Sequence, residues 1–440
     1  LIALRVAPAV VAGVILAAHF LRAMMLGPAL VAAAAVPALL LVDRRWGVRL
    51  AQVLLAAGTL EWMRTTFVLV SERVSEGGVW LRLLLILGAV TAFTGLTVYL
   101  LGTKTVLSRF GSERGSTRVS VGAALLTLVL LVPVQFVVEP PGLLVERFLP
   151  TFGWVEIAAL ALYAAWLAEA MIDPRRSPLW RRRVWALFSA VFFGQLIIGL
   201  LGVDRFLMTG KLHLPVPALI VGGPLYRGSG FFMPVLFTAT VILVGPAWCS
   251  HLCYIGAWDD IAARTSPTHS RRPSVLPRWH RRLQAGILAG TVAVSLGLRL
   301  AGSPWQVAVA VGATFGLGGV AVMVLWSRRV GAMTHCASYC PIGVVSTTLG
   351  RVNPFRIRIA AGCDGCGACS SVCRYGALRD EHIERLRPGP SCTLCGDCVG
   401  RCRTERLGYR LFGMDTWAAR AVFITLVVAL HAGFLGVARL

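Results

Sequence analysis

C-D-G-C-G-A-C-S-S-V-C at residues 363–373 and C-T-L-C-G-D-C-V-G-R-C at residues 392–402 share one spacing, Cys-x2-Cys-x2-Cys-x3-Cys, with eighteen residues between them. A cubane 4Fe-4S cluster needs four thiolates converging on a small volume. Three cysteines at every third position let a tight loop hold three corners, and in the two-cluster arrangement the fourth cysteine of each run crosses to the other cluster. This assigns Cys363, Cys366, Cys369 and Cys402 to one cluster and Cys392, Cys395, Cys398 and Cys373 to a second. Zinc knuckles would use two Cys-x2-Cys pairs rather than two runs of four. Gly365, Gly367 and Gly396 suit a backbone that bends sharply beside sulfur. Ferredoxin runs of this type carry proline after the fourth cysteine; here Arg374 and Arg403 stand there. With Arg379, Arg385, Arg387, Arg401 and Arg406 nearby, they favour the reduced clusters and a raised potential, or face lipid headgroups or an acidic partner.

Outward from this stretch, the 440-residue chain is 57% hydrophobic and 14% charged, against about 25% charged in an average soluble domain. Apolar stretches can be placed at Val6–Met25, Pro28–Val42, Leu50–Val70, Trp80–Leu101, Val119–Val138, Gly153–Ile172, Val184–Leu201, Phe231–Trp248, Leu283–Leu300, Trp305–Trp326 and Trp417–Ala438. The expected fold is therefore an all-α polytopic membrane protein of about 11 transmembrane helices, with a small cytoplasmic α+β ferredoxin-like domain carrying the two clusters. The second stretch is short enough to be a half-helix. The first runs on into further spans, so no cleavable signal peptide is expected.

The formal charge of +23 would suggest nucleic acid in a soluble protein. Here the basic residues gather after the even-numbered spans: Arg44, Arg45 and Arg49; Lys104, Arg109, Arg114 and Arg118; Arg175, Arg176, Arg181, Arg182 and Arg183; the stretch from Arg264 to Arg282; Arg328 and Arg329. By the positive-inside rule the N-terminus and the iron-sulfur segment are cytoplasmic and the C-terminus is outside. All twelve cysteines lie after residue 248 in paired or clustered motifs, as expected of a reducing compartment. No Walker A or dinucleotide fingerprint appears, so neither nucleotide nor nucleic acid is an expected partner. The expected division is a four-helix membrane unit at 1–110, a membrane core at 111–330, the cluster-bearing segment at 331–415 and a final helix at 416–440.

Three further groups stand out. In the first unit Glu61 and Arg64, three apart, can pair within the membrane, holding helices together or serving protons or a quinone. In the outer loop from Val203 to Gly230, Pro215, Pro217 and Pro224 argue against a regular helix, and Lys211, His213 and Arg227 are the candidate quinone site, the alternative being an inert re-entrant loop. The third group is the sharpest. G-P-A-W-C-S-H-L-C follows span eight with Cys249 and Cys253, and T-H-C-A-S-Y-C-P follows span ten with Cys336 and Cys340. A spacing of four puts both sulfurs on one helix face, and both pairs emerge on the same side of the membrane. Four thiolates suit a third iron-sulfur centre, a redox dithiol, or a copper or zinc site. His251 and His335 are supplementary ligands or hydrogen-bond partners. His19 and His431 could bracket a haem, but lone membrane histidines more often meet helix carbonyls or quinones, and no haem is expected.

Two Cys-x3-Cys elements at membrane-helix ends, followed by a two-cluster ferredoxin segment, make residues 180–440 resemble the NapH/NosR family of membrane-bound iron-sulfur proteins. Cys340-Pro341 keeps the family's Cys-x3-Cys-Pro motif, whereas Tyr254 follows Cys253. The resemblance implies electron transfer between a quinone pool or cytoplasmic donor and a periplasmic-type respiratory reductase. It implies no catalytic residue, and a redox partner protein and membrane lipid as partners. NosR-type members also carry an outer flavin-bearing domain, for which this chain has no room; V-G-A-T at 311–314 lies inside a span and is read as packing. The rival readings are an iron-sulfur redox sensor, and a copper reductase or assembly factor using the Cys-x3-Cys pairs.

Reporter fusions test the sidedness: those after Arg45, Arg118 and Arg183 are expected to report the cytoplasm, and those after Glu76 and Glu146 the exterior. One reversed pair removes the inside placement of the clusters.

Overall fold

The computed structural model describes residues 2–42, 44–108, 110, 114–138, 141–206, 214–266, 276–277 and 279–437, without the side chains of 2–5 and 114. The chain divides into two compact units, Leu1–Glu169 and Ala170–Leu440. Every one of the eleven apolar stretches coincides with a helix. Among the described residues nine helices are long and apolar enough to cross a bilayer, and two shorter ones, Val6–Arg22 and Leu26–Leu41, accompany them. This is a membrane protein.

The first unit holds α1 (Ile2–Arg22), α2 (Leu26–Leu41), α3 (Arg45–Ser75), α4 (Leu81–Leu101), α5 (Arg114–Val137) and most of α6 (Gly153–Ile172). The unit around the first four helices thus reaches to Glu169, because Ala124 of α5 and Ala161 and Ala165 of α6 enter the same core as Val36, Trp46 and Leu55. Trp46 Nε1 donates to Glu169 Oε2 at 3.0 Å. Small residues let these backbones meet closely, since lipid offers no hydrophobic drive for helix association. A Cβ on Gly27 would overlap the Thr151 carbonyl oxygen. The Glu61–Arg64 pair forms, with Arg64 Nη2 at 2.7 Å, and His19 Nε2 joins it at 3.2 Å.

The second unit contains α7 (Ser177–Leu200), α8 (Leu219–Arg227), α9 (Phe232–Val244), α10 (Tyr254–Arg264), α11 (His280–Leu300), α12 (Trp305–Val322), α13 (Pro341–Leu349) and α14 (Thr416–Val437). α8 corrects the expectation that prolines keep the outer loop from regular helix: Pro224 sits inside it. The lost hydrogen bond costs little in so short a helix, and Gly222 lets α8 lie directly on α11, where a Cβ would be 2.8 Å from Ser295 Oγ. Strands β1 (Arg356–Ile359) and β2 (Leu407–Arg410) pair antiparallel in the register Ile357↔Tyr409 and Ile359↔Leu407, closing the chain around both cysteine runs. Tyr409 stacks on Phe423 of α14 at 4.6 Å. In α14, Arg420 donates through Nη2 to the Met171 carbonyl at 2.8 Å and through Nε to that of Ile172 at 2.9 Å, satisfying the end of α6.

Gly27→Val is expected to lower the thermal midpoint of the detergent-solubilised protein, at an overpacking cost of about 1–3 kcal/mol. Gly286→Val is the control, because a Cβ there meets nothing within 4 Å.

Candidate metal centres

The two Cys-x3-Cys pairs take up the same backbone. Trp248–Leu252 and His335–Tyr339 are each a single π-turn, a form that recurs at functional sites. The second cysteine then leaves in extended conformation, Cys253 at φ −85°, ψ 114° and Cys340 at φ −69°, ψ 116°, and caps the N-terminus of the next helix. The π closure is a backbone bond from Cys253 to Trp248 at 2.9 Å and from Cys340 to His335 at 2.8 Å. Tyr254 and Pro341 both start a helix, where proline is favoured but not required, so their difference leaves the backbone unchanged. The first amides of each new helix, at Ile255 and Gly256 and at Ile342 and Gly343, point at the preceding cysteine sulfur. Such hydrogen bonds favour a charged thiolate and tune a cluster it holds.

Side chains from neighbouring helices fix these turns. Trp185 Nε1 donates to the Cys253 carbonyl at 2.7 Å, and Gln284 Nε2 to the carbonyls of Cys336 and Cys340 at 3.0 and 2.7 Å. Asp259 Oδ2 accepts the Cys336 N–H at 2.9 Å, while burial pushes the Asp259 carboxyl up to about 6. The Cys336 thiol is pushed well above its usual range by burial first, then by Asp259, Cys253, Cys340 and Cys249. The four paired cysteines are therefore within electrostatic reach of one another. His251 Nδ1 lies 3.0 Å from Ser250 Oγ, and the buried His335 ring leans on Tyr339 at 5.4 Å.

The long runs sort in the same way. Burial pushes the Cys398 thiol up, and Cys395, Cys392 and Cys373 around it push it further; Cys369 is raised by burial, then by Cys363 and Cys402. Cys366 is exposed, in the same loop as Cys363 and Cys369. The Ala377 N–H reaches the Cys373 sulfur at 3.3 Å. Gly365 and Gly367 lie at φ +66° and +67°, and the matching positions in the second run are Leu394 at +56° and Gly396 at +79°. Leu394 bears a conformation that glycine would take more easily, held by Tyr409 Oη donating to its carbonyl at 2.8 Å. Among the described residues no three Cys, His, Asp or Glu side chains converge as ligands of a single ion. A cubane asks for something looser, because each thiolate bonds its own iron corner. The donor set, all soft thiols in loops that present amides to sulfur, fits iron-sulfur clusters.

A buried ion network holds the cluster segment against the membrane helices. Arg181, 1% exposed, donates through Nε and Nη2 to Asp397 at 3.2 and 2.9 Å and through Nη1 to the Ser250 carbonyl at 3.0 Å. Arg264 bridges Asp260 at 2.8 Å and Asp397 at 3.0 Å. Ser250 Oγ donates to the Thr393 carbonyl at 2.9 Å. Arg374, at the position of the missing proline, is buried and donates through Nη1 to the Gly331 carbonyl, while its own carbonyl accepts from Met333 at 2.9 Å. Arg403 is exposed.

The sequence reading missed Arg181, Asp259, Asp260, Arg264 and Asp397. It counted the arginines only as topological markers. One signal was present: Asp259 and Asp260 are the only acids between Asp204 and Asp364, and Asp397 is the only acid in the second run. Of the candidate quinone residues, Lys211 and His213 lie outside the described residues, and Arg227 is exposed at the end of α8. His19 is engaged by Glu61 in the first unit, and His431 stands against Phe188 at 5.8 Å in the second.

Comparison with known proteins falls on the same part of the chain. A family profile described as a 4Fe-4S binding domain matches residues 226–282 and 311–359; each segment contains one Cys-x3-Cys pair, and neither includes the long runs. The YccM protein of Escherichia coli K12 is 25% identical over 225 residues, 47% of this chain and 59% of that protein. The ferredoxin-type protein NapH of Haemophilus influenzae is 26% identical over 50% of this chain and 78% of its own. The methylamine utilization ferredoxin-type protein MauN of Paracoccus denitrificans is 27% identical over 43% and 71%. This chain thus spans under two thirds of YccM and somewhat more of the other two. No solved structure matches.

Asp397→Leu leaves Arg181 and Arg264 sharing Asp260 alone, and is expected to cost about 3–5 kcal/mol, the usual penalty for breaking a buried pair. The measurements are the thermal midpoint and the iron retained on gel filtration. An unchanged midpoint with full iron removes the network as the tie between cluster segment and helices.

Proposed function

We propose that this chain, which belongs to the NapH-like family of membrane 4Fe-4S proteins, is a membrane-anchored conduit that passes single electrons through three iron-sulfur centres. Similarity to ferredoxin-type and electron transport proteins supports an iron-sulfur role in electron transfer. The number of centres, their ligands and their route are our reading. Bound clusters supply reversible one-electron storage at potentials set by their ligands and surroundings.

Cys363, Cys366, Cys369 and Cys402 hold the centre nearer solvent. Cys392, Cys395, Cys398 and Cys373 hold a second, buried one. Cys249, Cys253, Cys336 and Cys340 hold a third at the ends of membrane helices. What supports this reading is that eleven of the cysteine thiols act on one another in three groups within one compact unit, and the exposed Cys366 shares a loop with Cys363 and Cys369. Burial pushes the Cys340 and Cys392 thiols up to about 12, so they give up their protons as a cluster is inserted rather than beforehand. The exposed cysteine loop faces a soluble or peripheral redox protein, and the paired-cysteine centre faces the membrane, where a quinone exchanges electrons. The basic loops support a cytoplasmic position for the cluster segment, and the family resemblance of the sequence supports a respiratory reductase as the redox partner. The first unit, with His19, Glu61 and Arg64, anchors the assembly in the bilayer.

Anaerobically purified protein is expected to contain about twelve iron atoms per chain, falling to about eight when Cys249, Cys253, Cys336 and Cys340 are replaced by serine, with the ferredoxin-type paramagnetic resonance signal retained. Stoichiometric zinc without iron overturns the conduit. Unchanged iron in the serine variant with failed transfer makes the pairs a redox dithiol.

A further inference from the structure

Tyr375 belongs to the cluster segment, two residues past Cys373, yet its side chain ends among the membrane-helix cysteines. It is 5% exposed. Its backbone N–H is directed at the Cys373 sulfur, and its phenol donates to the Cys249 carbonyl at 3.2 Å. The ring sits in a small core with Trp185, Ala257, Ala263 and Met333, and Cys336 packs against that core. Trp185 in turn donates to the Cys253 carbonyl. One residue therefore touches a thiol of the buried ferredoxin-type set at one end and the paired cysteines at the other.

We infer that Tyr375 is the bridge through which electrons pass between the buried ferredoxin-type centre and the paired-cysteine centre. The inference rests on the three-centre reading above and names the contact that joins two of its members. The step is an outer-sphere exchange of one electron: the centre on Cys373 loses it and the centre on Cys249 gains it, or the reverse. No bond forms or breaks, and Tyr375 keeps its phenolic proton throughout. What the residue supplies is continuity: an amide on sulfur, a conjugated ring and a hydroxyl on a carbonyl replace what would otherwise be a through-space gap. A second hydrogen bond spans the same junction, from Ser250 Oγ to the Thr393 carbonyl. Its acceptor is the Thr393 carbonyl rather than a cysteine's, and no ring lies between its ends.

The test compares Tyr375→Phe, Tyr375→Leu and Ser250→Ala with the parent, each purified anaerobically as the full chain. Iron content and the two midpoint potentials establish that the centres are intact. Flash photoreduction with resolved paramagnetic resonance then follows electron arrival at each centre, and the spin–spin splitting of the fully reduced protein reports their coupling. The expected result is unchanged iron and potentials in all three variants. Inter-centre transfer slows by about an order of magnitude in Tyr375→Leu, with diminished splitting, and less in Tyr375→Phe, which keeps the ring. Ser250→Ala transfers like the parent. Intact iron with unchanged transfer and splitting in Tyr375→Leu makes Tyr375 a packing residue and overturns this inference alone, as does slowing confined to Ser250→Ala. A parent with only about eight irons overturns both readings, and does so before any variant is made.

Discussion

The arrangement of the second unit depends on a guanidinium taken out of water. Arg181 enters from the start of α7 and is held by Asp397, Asp260 and the Ser250 carbonyl. Desolvating a charge this completely is costly, and attraction in the interior repays it only when every proton finds a partner in good geometry. That demand locks three things at once. Asp397 stands between Cys395 and Cys398, Ser250 between Cys249 and Cys253, and Asp260 on the helix that Cys253 caps. A shift of the cluster segment by a few ångströms would strand a charge, so the segment has one place to sit.

Around this lock the two Cys-x3-Cys elements behave as a structural repeat with different supports. Each has a π-turn, an extended cysteine and a new helix whose amides face sulfur. Each also has a glycine three residues on, Gly256 or Gly343, where a Cβ would come within 2.9 or 2.6 Å of the first cysteine's carbonyl oxygen. The supports are indole on one side and carboxamide on the other: Trp185 for Cys253, Gln284 for Cys336 and Cys340. Outer contacts of this kind orient ligands and adjust what they bind. Tyr375 enters the same space from the ferredoxin side, so aromatic rings and backbone carbonyls meet at the junction.

Within the first unit the polar groups follow a membrane logic. His19 and Arg64 converge on Glu61, and threonine hydroxyls at 59 and 66 return to carbonyls four residues back. Hydrocarbon cannot satisfy a polar atom, so these groups turn to partners within the protein.

By itself the sequence determined the apolar helices and marked the eight cysteines of the two long runs as candidate ligands, because hydropathy and ligand spacing act over a turn or two of chain and need no tertiary context. It also singled out Cys249, Cys253, Cys336 and Cys340, and the Glu61–Arg64 pair. It misjudged α8, where a proline was outweighed by packing on α11, a contact between residues some seventy positions apart. It overlooked Arg181 and Asp397, which look like one topological charge and one loop acid until the fold sets them 2.9 Å apart across 216 positions. Tyr375 was silent for the same reason. Local spacing names what can hold a metal; only the tertiary fold, by burying charges and carbonyls that must then be paired, decides which side chains pack between one set of cysteines and the next.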